Sequence, residues 1–282
     1  MKRAAGLLAF LLLCAPAAAG AQKPARIASL NLCADELVLR LADPDKVASV
    51  TYLARDPRSS NVADLARRVP VNRGIAEEIV PLAPDLVIVG AFTTRTTAAM
   101  LKHLGMPILE LGLPASLAEA YAQIRTVAAR IGEPARGEAM IAAMQRDFAS
   151  LPPVPAHPGA AIVLRPNGFT AGRGSIVDEI LGRAGYENLA AQLSTDRLGQ
   201  LNLEEIVEAQ PDLLVINGGD ADAAPSLADD LLHHPALAPF SAQGRALSLP
   251  TRLWTCAGPE LALAAQRLAA KRLAGARLGM AR

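Results

Sequence analysis

Two stretches of the chain carry the same pattern, EEIVPLAPDLVIVG at residues 77–90 and EEIVEAQPDLLVIN at residues 204–217. They align without a gap, with Glu77 on Glu204 and the Pro-Asp pairs in register. Each copy contains a short helical segment, a Pro-Asp break that disfavours further helix, and an all-apolar run. Short apolar runs of branched residues are typical of parallel strands that are buried on both faces. One αβ unit used twice, about half a chain apart, predicts two similar α/β lobes.

The rest of the chain alternates strands and helices at intervals that favour βαβ units and parallel sheets. A helix that starts at Pro134 and stops before Leu151 would be about 25 Å long at 1.5 Å per residue, enough to run along both lobes. We therefore predict a first lobe over residues 22–132, an interlobe helix over 133–152 and a second lobe over 153–282.

The first 21 residues have the pattern of a secretory signal peptide. Lys2 and Arg3 precede an apolar run over residues 7–13, and small residues end at Ala21, a plausible cleavage site. The apolar run is too short to span a membrane. A lipid anchor at Cys14 is an open alternative.

Cleavage would leave 26 basic residues against 27 acidic ones, a net charge of about −1. The Lys and Arg residues are dispersed along the chain rather than gathered into a stripe or patch. The sequence therefore predicts no nucleic-acid partner.

Cleavage would also leave two cysteines, Cys33 and Cys256, one in each predicted lobe. In an oxidising compartment the two could form a disulfide. Two separate buried thiols are the alternative, and we favour it slightly over a disulfide because the two cysteines lie far apart in sequence.

Ligands in open parallel sheets bind beyond the carboxyl ends of the strands. The loops that leave predicted strand ends contain four of the eight aromatic residues of the mature chain, Tyr52, Phe92, Phe169 and Trp254. We favour a cleft with aromatic walls over the alternative that each ring covers one end of a core. The same loops carry arginines that would suit an anionic or chelated ligand, and the first loop supplies three further candidates. The candidate ligand-binding residues besides the aromatic ones are Asn31, Leu32, Cys33, Arg55, Arg165, Arg173 and Arg252.

Enzyme motifs are absent from the sequence. The glycine-rich segment at residues 171–175 is neither a Walker A loop nor a complete dinucleotide fingerprint, and no GxSxG elbow occurs. The four histidines, His103, His157, His233 and His234, are badly spaced for a transition-metal site. We predict no catalytic residues, no metal site and no cofactor, with an exported α/β enzyme that uses the same cleft as the alternative.

The layout resembles the periplasmic substrate-binding proteins of ABC importers that carry cobalamin and ferric siderophores. The resemblance covers nearly the whole mature chain and depends on the paired units, on GRGSIVDEILGRAGYENL at 172–189 and on LWTCAGPELALAAQRL at 253–268. It implies two Rossmann-like lobes joined by a single long helix, with the ligand cleft between the lobes. It also implies a monomeric periplasmic receptor that captures a small metal chelate and delivers it to the membrane permease.

In that family one exposed glutamate on each lobe docks onto the permease, and the matching positions here are Glu77 and Glu204. The alternative is that both are first-turn glutamates favoured by the helix dipole. The first loop, Asn31-Leu32-Cys33, departs from the Ser and Pro more common in the family. Cobalamin, a ferric siderophore and heme therefore all stay open as ligands, and Tyr52 is the candidate axial ligand for heme.

Overall fold

The computed structural model describes residues 23–92, 95–193, 198–216 and 228–280. The predicted signal peptide and the candidate anchor Cys14 lie outside the described residues, as do Thr93 and Thr94, which the sequence predicts as the cap of the following helix. Among the described helices, none is both long and apolar enough to cross a membrane.

The first lobe is built on a five-stranded parallel sheet. Its strands are β1 (Ile27–Ser29), β2 (Val47–Thr51), β3 (Val71–Asn72), β4 (Leu86–Gly90) and β5 (Ile108–Leu111). Its helices are α1 (Leu32–Leu41), α2 (Ala63–Ala66), α3 (Ala76–Ile79), α4 (Arg95–His103) and α5 (Leu117–Arg130). The strand order is β3-β2-β1-β4-β5, and all five residues of β4 are buried, as its unbroken apolar run predicts.

A long helix, α6 (Pro134–Ala149), leads from the first lobe to the second. Ile141 and Met144 on this helix pack in the core of the first lobe, whereas Phe148 near its end packs in the core of the second. The helix therefore contributes apolar side chains to both cores.

The second lobe contains a four-stranded parallel sheet with the order β11-β10-β6-β8 and a separate antiparallel pair, β7-β9. Its strands are β6 (Gly159–Leu164), β7 (Phe169–Ala171), β8 (Tyr186–Asn188), β9 (Leu198–Gln200), β10 (Leu213–Ile216) and β11 (Ala246–Ser248). Its helices are α7 (Ile176–Arg183), α8 (Ala190–Leu193), α9 (Leu203–Ala209), α10 (Ala238–Ala242), α11 (Arg252–Thr255) and α12 (Glu260–Met280). The predicted fold class, two α/β lobes with parallel sheets and a connecting helix, is confirmed.

The two copies of the repeated sequence have the same local structure. Ala83 and Gln210, which precede the two prolines, have left-handed φ angles of 44° and 46°. Asp85 and Asp212, which follow the prolines, each accept a backbone hydrogen bond of 2.7 Å at the start of the neighbouring strand, β1 or β6. The Pro-Asp pair therefore turns the chain out of a helix and attaches the next strand to the centre of the sheet.

Some elements differ from the sequence prediction. The sequence predicts a glycine-rich loop over 165–174, but this segment contains β7, and the segment after Gly185 forms β8 at the edge of the sheet. The sequence also predicts a helix over 226–240 that is broken at Pro235, and in its described part this segment is two 3-10 turns followed by α10. Pro235 and Pro239 explain this difference, because proline has no backbone N–H and is favoured only in the first turn of a helix.

Cys33 and Cys256 form a disulfide, with their Cα atoms 5.0 Å apart. The interpretation of the two residues as separate thiols is therefore wrong. Cys33 lies in the first turn of α1, and Cys256 follows α11 in the second lobe. The bond therefore joins the two lobes through residues that are distant in sequence from the connecting helix α6.

Asp35, on α1, is a fully buried carboxyl group at the centre of the first lobe. It accepts hydrogen bonds from the Thr51 hydroxyl at 2.5 Å and from the Thr51 backbone N–H at 3.2 Å. Burial raises its pKa to about 7, although the hydrogen bonds from Ser29 and Thr51 act in the opposite direction.

We expect Asp35 to make the stability of the protein depend on pH. Its pKa is raised above the ordinary value of 3.8, so its stabilising contribution is complete below pH 3.8 and is lost as the pH rises through about 7. In Asp35→Asn this dependence disappears, so the free energy of unfolding of the variant relative to wild type should rise by about 1–3 kcal/mol between pH 5 and pH 8. Urea denaturation at both pH values measures the difference. The exposed Asp45→Asn is the control, and a difference for Asp35→Asn that does not change with pH would contradict the assignment.

Candidate binding cleft

A cavity of about 70 Å³ lies between the lobes, beyond the carboxyl ends of β1, β4 and β5. Its lining residues come from both lobes: Asn31, Cys33, Gly90, Ala91, Phe92, Leu111, Gly112, Leu113, Pro114 and Gln123 from the first, and Ile176, Thr255 and Ala257 from the second. Pockets for small molecules usually measure about 300–1,000 Å³. The cavity is therefore too small to enclose a small molecule by itself, and it could form only the floor of a larger binding groove.

The described lining of this floor is uncharged and mostly apolar. The Asn31 side chain is already occupied as the N-cap of α1, since it accepts hydrogen bonds from the backbone N–H groups of Cys33 at 3.0 Å and Ala34 at 3.3 Å. The amide of Gln123, on α5, has no hydrogen-bond partner among the described residues. Gln123 is therefore a polar group on the floor that can bind a ligand.

Three of the residues predicted from the sequence line the cavity: Asn31, Cys33 and Phe92. Phe92 is 77% exposed, although it is a large aromatic residue. Tyr52 and Phe169 are also exposed, by 56% and 51%, and follow the carboxyl ends of β2 and β6, but they do not line the cavity itself.

Trp254 lies in the core of the second lobe rather than in the cleft wall that the sequence suggested. Only 2% of its surface is exposed, and it packs in the same cluster as Leu261 and Leu268 of α12. The prediction that the Trp254 ring forms part of the cleft wall is therefore wrong, because the ring is buried. Leu32, in the first turn of α1, is half-buried and is not among the lining residues.

The predicted arginines do not line the cavity, and three of them hold loops in place. Arg55 donates hydrogen bonds to two backbone carbonyl groups, at 2.6 and 3.1 Å. Arg173 is exposed and donates to one carbonyl group at 3.4 Å. Arg252 donates to the side-chain oxygen of Asn61 in the other lobe, at 3.0 Å.

Arg165 differs from these three because its charge has no partner among the described residues. It follows the carboxyl end of β6 and is half-buried, and its Nε atom is buried without a hydrogen bond. Burial lowers the pKa of this guanidinium group. A half-buried cation at a strand end can bind an anionic group of a ligand through charge-assisted hydrogen bonds.

Several residues that line the cavity were not predicted as site residues from the sequence: the loop at 112–114, Gln123, Ile176, Thr255 and Ala257. The loop follows β5, so the rule about strand ends that selected the other loops applies to it as well. Gln123 lies on α5 of the first lobe, whereas Ile176 begins α7 of the second lobe and reaches the cavity because the two lobes pack against each other. A sequence pattern carries no signal for that packing.

Glu77 and Glu204 occupy equivalent positions, as the second residues of α3 and α9. The glutamates that follow them fold back onto the chain: Glu78 accepts from the backbone N–H of Arg73 at 2.6 Å, and Glu205 accepts from that of Asn202 at 2.8 Å. Glu77 and Glu204 are exposed and form no hydrogen bond or ion pair within the described parts of the chain. Each copy of the repeated unit therefore presents an exposed glutamate at the same position, Glu77 in the first lobe and Glu204 in the second.

No group of three or more His, Cys, Asp or Glu side chains that could hold a metal ion occurs within the described ranges. The cleft floor contains no side chain of a strong metal ligand apart from Cys33, whose sulfur is in the disulfide. If a metal binds here, the chemistry of the lining residues favours a metal enclosed in an organic chelate.

The family model for periplasmic binding proteins matches residues 27–250, and the chain belongs to this family. A cobalamin-binding protein of Halobacterium salinarum is 28% identical over 222 residues, which are 74% of this chain and 58% of that protein. The chain thus spans less than two thirds of the length of this curated relative.

Solved structures of the same fold include the apo form of the periplasmic heme-binding protein RhuT from Roseiflexus sp. RS-1. The match has a TM-score of 0.70 and 26% identity, and it covers 87% of this chain and 97% of that one. The periplasmic heme-binding protein HutB of Vibrio cholerae matches with a TM-score of 0.72 and 20% identity, over 87% of this chain and 97% of that one. The second likeness shows the fold alone.

We expect Arg165→Met to leave the free energy of unfolding of the ligand-free protein unchanged, or to raise it by up to about 2 kcal/mol, because it removes a half-buried charge that has no partner in the part of the chain that the structure describes. Arg245→Met is the matched control. Arg245 donates to the carbonyl groups of Gln210 and Pro211, and its guanidinium group lies 5.0 Å from the centroid of the Phe240 ring. This control should lose about 1–3 kcal/mol.

Urea denaturation compares the two variants at one pH. A loss for Arg165→Met as large as that for Arg245→Met would show that Arg165 is paired within the protein, and would remove it as a candidate for ligand binding.

Proposed function

We propose that this protein is the substrate-binding component of an ABC importer, which captures a small metal chelate in the interlobe cleft and delivers it to the membrane permease. The observation that carries the proposal is the combination of a cleft between two lobes with one exposed carboxylate at the equivalent position of each lobe. Membership of the periplasmic binding protein family supports it.

The site of action is the periplasm. The first 21 residues have the pattern of a cleavable export signal, and the chain belongs to a periplasmic family. The Cys33–Cys256 disulfide is of the kind that persists in an oxidising compartment.

The favoured ligand is a ferric siderophore or a cobalamin-type chelate. An uncharged, mostly apolar floor suits the organic periphery of such a ligand. The exposed rings of Tyr52, Phe92 and Phe169 would supply aromatic walls for a ligand that extends beyond the floor. Arg165 would receive an anionic group at the edge of the cleft. The relative in Halobacterium salinarum carries the name of a cobalamin-binding protein.

Heme is the second candidate, and the position of Tyr52 favours it. The Tyr52 side chain follows β2 at the carboxyl end of the sheet and is 56% exposed, so its phenol is accessible as an axial ligand. The relative from Roseiflexus sp. RS-1 is described as heme-binding.

The protein would act as a rigid monomer that presents two charges to its partner. Because Glu77 and Glu204 lie on separate lobes, a permease with two basic pockets would fix both the orientation and the register of the receptor. No catalytic step is part of the proposal, and the relatives named above are binding proteins.

The ligand is identified by native mass spectrometry and a visible spectrum of protein purified from its host, followed by titration of ligand-free protein with cyanocobalamin, hemin and a ferric hydroxamate siderophore. We expect one of the three to bind with a spectral change and a stoichiometric mass shift. Binding of none of them would contradict the chelate assignment.

Phe92→Ala tests the cleft in the same titration. It should weaken binding by about 1–3 kcal/mol, since the ring is exposed beside the cavity and gains burial only against a ligand. Leu104→Ala is the control, because Leu104 is 50% exposed and lies outside the lining. Equal affinities of the two variants would remove Phe92 from the site.

For docking, we expect Glu77→Arg combined with Glu204→Arg to abolish uptake by cells while the affinity for ligand stays unchanged, because the two charges are reversed outside the cleft. Glu110→Arg combined with Glu208→Arg is the matched control, with one exposed glutamate from each lobe. Uptake assays with the identified ligand measure the difference. Normal uptake by the Glu77/Glu204 variant would refute docking through these residues.

A further inference from the structure

The Cys33–Cys256 disulfide lies at the ligand cleft itself. Cys33 lines the cavity from the first lobe, and the neighbours of Cys256, Thr255 and Ala257, line it from the second. A second cavity, of about 10 Å³, lies on another side of the same bond and is lined by both cysteines. The bond therefore forms part of the wall where the two lobes face each other.

Polar contacts between the lobes continue from the disulfide along α1. Cys33, Glu36 and Arg40 are spaced as on one face of a helix. Arg40 forms an ion pair with Glu260 of the second lobe at 2.6 Å. Glu36 accepts a hydrogen bond of 3.1 Å from the side chain of Asn61, whose amide also donates to the carbonyl group of Arg252 in the second lobe at 2.7 Å.

These contacts make a second connection between the lobes, separate from α6. The Cα atoms of a disulfide cannot be more than about 7 Å apart without breaking the bond or moving the backbone. Since the two Cα atoms are 5.0 Å apart here, opening of the lobes at this point is limited to about 2 Å while the bond is intact. An ion pair and hydrogen bonds alone would not impose such a limit.

We propose that the Cys33–Cys256 disulfide is a covalent tie that sets the width of the ligand cleft, and that its reduction converts the protein into a looser form that holds ligand less tightly. The effect on ligand rests on the proposed function, whereas the effect on the cleft width does not. A cleft held at one width is pre-organised, so a ligand does not have to order the lobes when it binds.

The bond is also accessible from the side where the ligand would bind. Cys33 is partly exposed and Cys256 is 5% exposed, so a small thiol reaches the pair through Cys33 when the cleft is empty. A ligand on the cleft floor would cover this approach. Ligand binding should therefore slow reduction, and reduction should weaken ligand binding, as two coupled equilibria require.

The chemistry is a thiol–disulfide exchange with a dithiol such as dithiothreitol. One of its thiolates attacks the sulfur of Cys33 to form a mixed disulfide, and Cys256 leaves as a thiolate. The second thiol of the reagent then closes its own cyclic disulfide and releases Cys33. The reagent supplies both electrons, and the protein ends with two thiols.

The direct test measures the distance between the lobes in the full chain without ligand. Spin labels are introduced through non-canonical amino acids at the exposed positions Asp64 and Glu208, one on each lobe, and the distance distribution is recorded before and after treatment with dithiothreitol. We expect a narrow distribution for the oxidised protein and a broader one, extending to longer distances, for the reduced protein. Identical distributions would overturn the proposal, and so would loss of the folded circular-dichroism spectrum on reduction, because the bond would then be a stabilising link only.

Cys33→Ser combined with Cys256→Ser supplies the matched variant. It should show the broad distribution with or without dithiothreitol, and reduced wild-type protein replaces it if the variant does not fold. With the chelate that binds among cyanocobalamin, hemin and the ferric hydroxamate, reduction should raise the dissociation constant about 5- to 150-fold, the usual range of coupling between two sites. An unchanged dissociation constant would refute the proposed effect of reduction on ligand binding. If the distance distribution broadens on reduction but none of the three chelates binds, the disulfide does set the cleft width and the proposed class of ligand is wrong.

Discussion

The contact between α1 and the segment at 252–260 is the constraint on which the rest of the structure depends. Each lobe folds around its own buried sheet, but a binding cleft exists only where the two lobes are held at a defined separation. The helix α6 holds them at one place, with Ile141 and Met144 in one core and Phe148 in the other. The disulfide and the Arg40–Glu260 ion pair hold them at another, beside the cavity. With both connections present, the floor of the cleft is formed before any ligand arrives.

The repeated αβ unit explains how two similar lobes present similar surfaces. In each unit the second glutamate bonds to a backbone N–H group near the start of the helix, so the first glutamate is left to point outward. The Pro-Asp pair then connects the unit to the central strand of its sheet. The same local physics thus leaves the first glutamate of each unit, Glu77 and Glu204, exposed and without a partner within the described parts of the chain, and a partner with twofold symmetry can use the pair.

Much of the fold could be predicted from the sequence, because the apolar runs of β4 and β10 and the Pro-Asp breaks are local signals. The disulfide could not be, since the distance between Cys33 and Cys256 depends on how two lobes pack. The same limit applies to the site. Asn31, Cys33 and Phe92 lie at strand ends and line the cavity, whereas Gln123 lies within a helix and Ile176 reaches the cavity through interlobe packing. Trp254 follows a strand end as well, yet it turns into the core of its lobe, and no local pattern distinguishes a ring that faces ligand from one that faces α12.

The central claim is that this protein binds its ligand in a cleft of fixed width, without a large closure of the lobes. Small-angle X-ray scattering of the oxidised protein tests it most directly, in the absence of ligand and after loading with the chelate that binds. The scattering profiles of the ligand-free and loaded protein should superimpose, with the same radius of gyration within error. A loaded protein whose profile requires a large rotation of one lobe against the other would contradict it.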